Sequence, residues 1–264
     1  VNHTLLLGWN RKGISILRIL AEMRPQQTIV ILSQTDTAVV SQQIDKAKNL
    51  FKGMRILPQI GSPSMINDLN RVGIQDCDSV IILARAGETG GVSPDIETVK
   101  TLMLLENIRW TKSKPKVVVE VAEQENTRII EIAAGQRTPL VSTSEFVSKT
   151  MVQCARHPGY AEAYQEIFAF ENKKALNFIR PKDLQGQFFG EIAMRYDSAT
   201  AIGVSWIEAD TGIRKAILNP EPTYDLDEDE DIILLGNSNF DFKDESVSPP
   251  VTQIGGGLNN PVNS

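Results

Sequence analysis

The residue types and spacing that most suggest chemistry lie in LLLGWNRKG, Leu5 to Gly13. An apolar strand running into a glycine turn is how a dinucleotide site begins, because the backbone there cradles a pyrophosphate at a helix N-terminus. The fingerprint for that chemistry is G-x-G-x-x-G, whereas this turn reads Gly8-Trp9-Asn10-Arg11-Lys12-Gly13. Asn10 occupies the second glycine position, where its side chain is expected to obstruct a phosphate or to donate a hydrogen bond to an oxygen. The acid that grips ribose hydroxyls is expected at the end of the second strand. Ser33-Gln34 stands there, with nothing acidic before Asp36. Two discriminating features of NAD binding are therefore missing.

Other candidates are weaker. Gly61-Ser62-Pro63-Ser64 follows the third strand at the ligand-binding end of such a sheet. Its serines fit a helix cap first and a phosphate second. Asp227, Glu228 and Asp229, within the acidic run 225–231, suggest calcium because hard cations take several carboxylate oxygens. The run lacks EF-hand spacing, and a solvated loop is the plainer reading. Glu120, Glu123 and Glu125 form a second, weaker acidic group. Acid–base catalysis near neutral pH leans on histidine, and only His3 and His157 are present; both read as structural. Cys77 and Cys154 read as two buried thiols without metal spacing.

The elements that must position these residues are legible. Apolar runs at Thr4–Leu7, Thr28–Leu32, Met54–Leu57, Ser79–Leu83, Lys116–Val121 and Pro139–Val141 alternate with helical patterns. That order predicts a Rossmann-like, doubly wound parallel sheet over residues 1–143. Residues 144–169 form a helical connector broken at His157-Pro158-Gly159. Its large apolar residues, Phe146, Met151, Tyr160, Tyr164 and Phe168, exceed the needs of a small helix pair and suggest a subunit contact. Four short strands with turns predict a small α+β subdomain over 170–238. The polar, Pro- and Gly-rich stretch 239–264 reads as a tail or linker. The formal charge of −6 disfavours a nucleic-acid partner. No apolar run approaches the ~20 residues that span a bilayer. A start at Val1 reads as a piece of a longer chain.

Taken together, these stretches resemble the RCK module (regulator of potassium conductance), also found in Trk and Ktr subunits. The small-subdomain stretches are Gly190-Glu191-Ile192, Ala201 to Val204, Ile217 to Pro220 and Asp229 to Leu234. The finer likeness is to the CASTOR/POLLUX family of ion channels. It is carried by Gly8-Trp9-Asn10, Gly61-Ser62-Pro63, MVQCARHPG (Met151 to Gly159) and Phe170-Glu171-Asn172. The resemblance implies a cytosolic gating module on a cation channel, permeable to potassium or calcium. It implies a homo-oligomeric ring, tetrameric or octameric, with the pore domain outside this chain. A second such module can follow the first. The membrane would be the nuclear envelope in a plant and the plasma membrane in a microbe. Calcium ranks ahead of NAD or another adenine nucleotide as the ligand, and Gly8, Trp9, Asn10, Gly13, Ser33, Gly61 and Ser62 would line the crevice. Two rival readings stand beside it: a nucleotide-sensing Trk/Ktr-type uptake subunit and, more remotely, an NAD-dependent oxidoreductase. The second would need an acid–base pair that the sequence does not offer.

Overall fold

Four consecutive residues with no exposed face place β1 (Thr4–Leu7) at the centre of a sheet. Leu5 and Leu7 point into one apolar layer with Ile82, Leu102 and Val119, and Leu6 into the other with Leu17, Ile31 and Val40. This is the period-two alternation of a strand covered on both sides. The computed structural model describes residues 3–51, 53–85, 93–110, 113–135, 138–168, 174–181, 186–196, 199–210 and 212–237.

The first sheet is parallel throughout, in the order β3-β2-β1-β4-β5-β6. Its other strands are β2 (Thr28–Ser33), β3 (Arg55–Ile60), β4 (Ser79–Ile82), β5 (Lys116–Val121) and β6 (Leu140–Ser142). Strand order reverses between β1 and β4, which opens a crevice at their carboxyl ends. The helices are α1 (Gly13–Met23), α2 (Thr37–Lys46), α3 (Ile66–Arg71), α4 (Asp95–Asn107) and α5 (Thr127–Ala134). The expected third strand stopped at Leu57, but β3 continues through Pro58, which pairs with Ile31. Proline is tolerated there because β3 is an edge strand and needs no second ladder.

Two helices follow, α6 (Thr143–Arg156) and α7 (Tyr160–Phe168), divided at His157 as the sequence predicts. Neither has a fully buried residue. The chain forms two compact units, and both helices fall in the first, within residues 1–172 and 208–213. The second unit, within 173–207 and 214–264, is an antiparallel sheet ordered β7-β10-β8-β9. Its elements are β7 (Lys174–Ile179), α8 (Phe189–Ala193), β8 (Ala199–Ile207), β9 (Arg214–Leu218) and β10 (Asp231–Asn237). Phe189, Ile192, Val204, Ile232 and Leu234 form its core. The Asn-Pro turn is present, with Asn219 in the left-handed region at φ 50°. Phe170-Glu171-Asn172 and the stretch 239–264 lie outside the described residues.

One expectation fails here. Cys77 is buried, but Cys154 is half-buried on α6, a helix without a packed face over it.

Candidate functional site

The crevice begins at Gly8, with φ +89°. A β-carbon there would lie 2.5 Å from the Leu83 carbonyl oxygen, so only glycine lets the ends of β1 and β4 approach. The following turn is held by its own side chains. Asn10 Oδ1 accepts from the Lys12 amide at 2.9 Å, and Asn10 Nδ2 donates to the Ala84 carbonyl and to Glu120 Oε2, both at 2.9 Å. The oxygens to which Asn10 donates belong to this chain.

Glu120, at the end of β5, is the hub. Its Oε2 also accepts from the Ala84 amide at 3.1 Å; its Oε1 pairs with Lys12 Nζ and accepts from Thr143 Oγ1 at 3.2 Å. The residue is 8% exposed. One buried carboxylate therefore links the β1 turn, the end of β4 and the first residue of α6. A buried charge is tolerable only when bonded this fully.

Trp9 and Gly13 belong to the structural side of the turn. The indole is buried in the layer under α1 and α2, and its Nε1 donates to Gln43 Oε1 at 2.8 Å. A β-carbon at Gly13 would meet the Trp9 ring at 2.6 Å. Trp9 borders the crevice while its ring serves the core.

On the other side of the turn lies a crevice of about 320 Å³. Gly8, Ser33, Leu83, Glu97 and Thr98 are among its walls. Gln34 Nε2 bridges Ser62 Oγ at 3.0 Å and Glu97 Oε2 at 3.1 Å across the mouth. Gly61 backs the wall, its amide donating to the Ser33 carbonyl at 2.9 Å. Asp36, the first acid after β2, caps α2 by accepting from the Ala38 amide at 2.8 Å. The expected serine cap of the third helix is corrected. Met65 is the N-cap residue; Ser62 and Ser64 bond each other at 2.8 Å, and Asp68 accepts from the Ser62 amide.

Glu97 and Gln34 escaped the sequence reading. Each looks like an ordinary surface residue until α4 is docked. Asp95 does the docking. It is fully buried and accepts from the Ala122 and Glu123 amides and from Asn126 Nδ2, all at 3.0 Å.

Asp227, Glu228 and Asp229, the residues of the calcium expectation, are all exposed, and among the described residues no group of three or more His, Cys, Asp or Glu is placed to hold a metal ion. The inward acids of the loop are otherwise engaged. Glu230 accepts from Tyr224 Oη at 2.8 Å and from the Asp227 amide at 3.2 Å. Burial, then that bond, pushes the Tyr224 phenol up to about 12. Asp231 pairs with Arg180 and Arg214. Nor do Glu120 and Glu123 converge, since Glu123 bonds Ser93 Oγ and Asn126 instead. Of the histidines, His3 Nε2 lies 3.1 Å from the Val72 carbonyl, and His157 Nδ1 accepts from the Gly159 amide.

The connector aromatics do come together. Phe146 and Phe168 meet edge to face at 5.9 Å, and Tyr160, Tyr164 and Phe168 stack in a ladder at 6.1 and 6.5 Å. Met151 remains 66% exposed and Val152 61%.

Comparison with known proteins agrees with this architecture. The family described as the calcium-activated potassium channel slowpoke-like RCK domain matches residues 14–130. The family described as Castor and Pollux, part of voltage-gated ion channel, matches residues 144–252. The chain is 28% identical to the ion channel CASTOR of Lotus japonicus over 89% of its own length and 27% of that protein. It is 26% identical to the probable ion channel POLLUX of Oryza sativa subsp. japonica over 94% of its length and 25% of that protein. It thus spans about a quarter of these relatives. Its fold is similar to the human SLO3 gating ring, with a TM-score of 0.67 at 14% identity, covering 91% of this chain and 49% of that one.

Proposed function

We propose that this chain, an RCK module of the CASTOR/POLLUX kind, is the ligand-sensing, ring-forming part of a cation channel whose pore lies outside the sequence. The observation that carries the reading is the unburied apolar face of α6 and α7, joined to the turn after β1 through Thr143 and Glu120. A ligand changing the turn would act on α6 through that carboxylate. Large apolar side chains left in water across two successive helices favour burial against another subunit. Moving a gate from mostly closed to mostly open takes about 5.5 kcal/mol of differential binding. A ring of identical sites can supply this in small shares.

The module would work on the cytosolic side of a membrane. Among the described residues no helix is long and apolar enough to cross one. The reading is regulatory and not enzymatic: His3 and His157 are bonded locally to backbone, and the relatives named above are ion channels. Calcium and adenine nucleotides are the first ligands to test, with calcium expected outside the 227–229 loop.

Sedimentation of the chain with and without calcium tests assembly. A tetramer or octamer that Met151→Asp reduces to monomer is the expected result. A wild-type chain that stays monomeric at high concentration would sink the ring.

A further inference from the structure

We propose that Glu120 is the resident anion of the turn after β1, and that the adjoining crevice selects an uncharged, hydroxyl-bearing ligand of nucleoside size over its phosphates. This rests on the sensing reading in taking the crevice as the ligand site. A phosphate-binding turn works by presenting free amides at a helix N-terminus. Here two of the turn's amides are engaged within the turn, Lys12 to Asn10 Oδ1 and Gly13 to the Asn10 carbonyl at 3.0 Å, and the facing Ala84 amide after β4 bonds Glu120 Oε2. Lys12 is neutralised by the same carboxylate. An incoming phosphate that took Lys12 and the Ala84 amide would strip a buried carboxylate of two of its partners and lie beside its charge, which is unfavourable.

Arg85 borders the crevice and favours anions, but it is exposed and its charge is screened by water. The buried carboxylate, fixed beside the turn by Asn10 and the Ala84 amide, opposes it.

The open side suits a neutral polar ligand. Its volume of about 320 Å³ lies near the small end of ligand sites, roughly 300–1,000 Å³, enough for a nucleoside and tight for a dinucleotide. Leu7, Ile82 and Leu83 supply apolar wall, and Ser33 and Thr98 supply hydroxyls. Glu97 provides the acceptor for ligand hydroxyls, held in place by Gln34. The carboxylate absent from β2 is thus delivered by α4.

The test is calorimetric titration of the whole chain with adenosine and with ADP, on wild type, Glu120→Gln, Lys12→Met and Glu97→Gln, each verified as folded by circular dichroism. Adenosine is expected to bind wild type at least about tenfold more tightly than ADP. Glu120→Gln should narrow that ratio and Lys12→Met widen it. Glu97→Gln should weaken adenosine by roughly tenfold. The inference is overturned if wild type binds ADP as tightly as adenosine, if it binds neither, or if neither Glu120→Gln nor Lys12→Met moves the ratio. Light scattering on the same samples separates the two readings. Rings that form without adenosine binding overturn this inference alone; monomers overturn the assembly reading.

Discussion

Asn10 and Glu120, 110 residues apart in the chain, meet at 2.9 Å across the carboxyl end of the parallel sheet. The asparagine that breaks the nucleotide fingerprint is the residue that fastens the turn to β5. The departure from the motif and the buried carboxylate are one feature.

Asn10→Ala removes the bonds to Ala84, Glu120 and the Lys12 amide together. Each bond to a charged or buried partner contributes on the order of 1 kcal/mol or more, so a loss of about 1–3 kcal/mol is expected. Urea unfolding measures it directly, and an unchanged midpoint would show that the bridge contributes nothing.

Gly13→Ala is expected to destabilise although alanine favours helices by about 1 kcal/mol over glycine. The new β-carbon would sit 2.6 Å from a Trp9 ring that is buried and tied to Gln43. Overpacking of this kind costs roughly 1–3 kcal/mol. A higher melting temperature for the variant would mean that the indole moves freely.

Acid should weaken the second unit through Asp231. Burial alone would raise its carboxyl, but bonds from Arg214 and Arg180 outweigh that and hold it below its ordinary value of 3.8. A carboxylate depressed in the folded state adds stability above its unfolded pKa and loses it as pH falls through the folded value. Asp231→Asn should therefore lower stability near neutrality by roughly 1–3 kcal/mol, with the difference shrinking below about pH 4. Parallel denaturation curves at pH 7 and pH 3 for the two proteins decide it.

The two thiols should separate cleanly. Burial pushes Cys77 up to about 11, so the reactive thiolate is scarce at neutral pH, whereas Cys154 is half-buried on α6. A thiol reagent should label Cys154 alone in the native chain and Cys77 only in denaturant. Native labelling of both, read by mass spectrometry, would contradict the burial of Cys77.

The sequence by itself determined the parallel sheet, the helix break at His157 and the small α+β unit of four short strands, because apolar periodicity and turn residues are local signals. It also indicated that the turn had left the NAD pattern at Asn10 and Ser33-Gln34. Tertiary structure alone decided what replaced it. Glu97 has no local signal, and Glu120 and Gln34 showed only as part of a weak acidic group and as a missing acid, since a polar side chain on a helix or at a strand end looks the same whether solvated or buried. Parallel pairing of β1, β4 and β5 brings Glu120 to the turn, and the docking of α4 through Asp95 brings Glu97 to Gln34 at the end of β2. The loop at 227–229 is the converse case. Its charge density was plain in the sequence, and the fold leaves those three residues exposed while Glu230 and Asp231 beside them are buried and bonded.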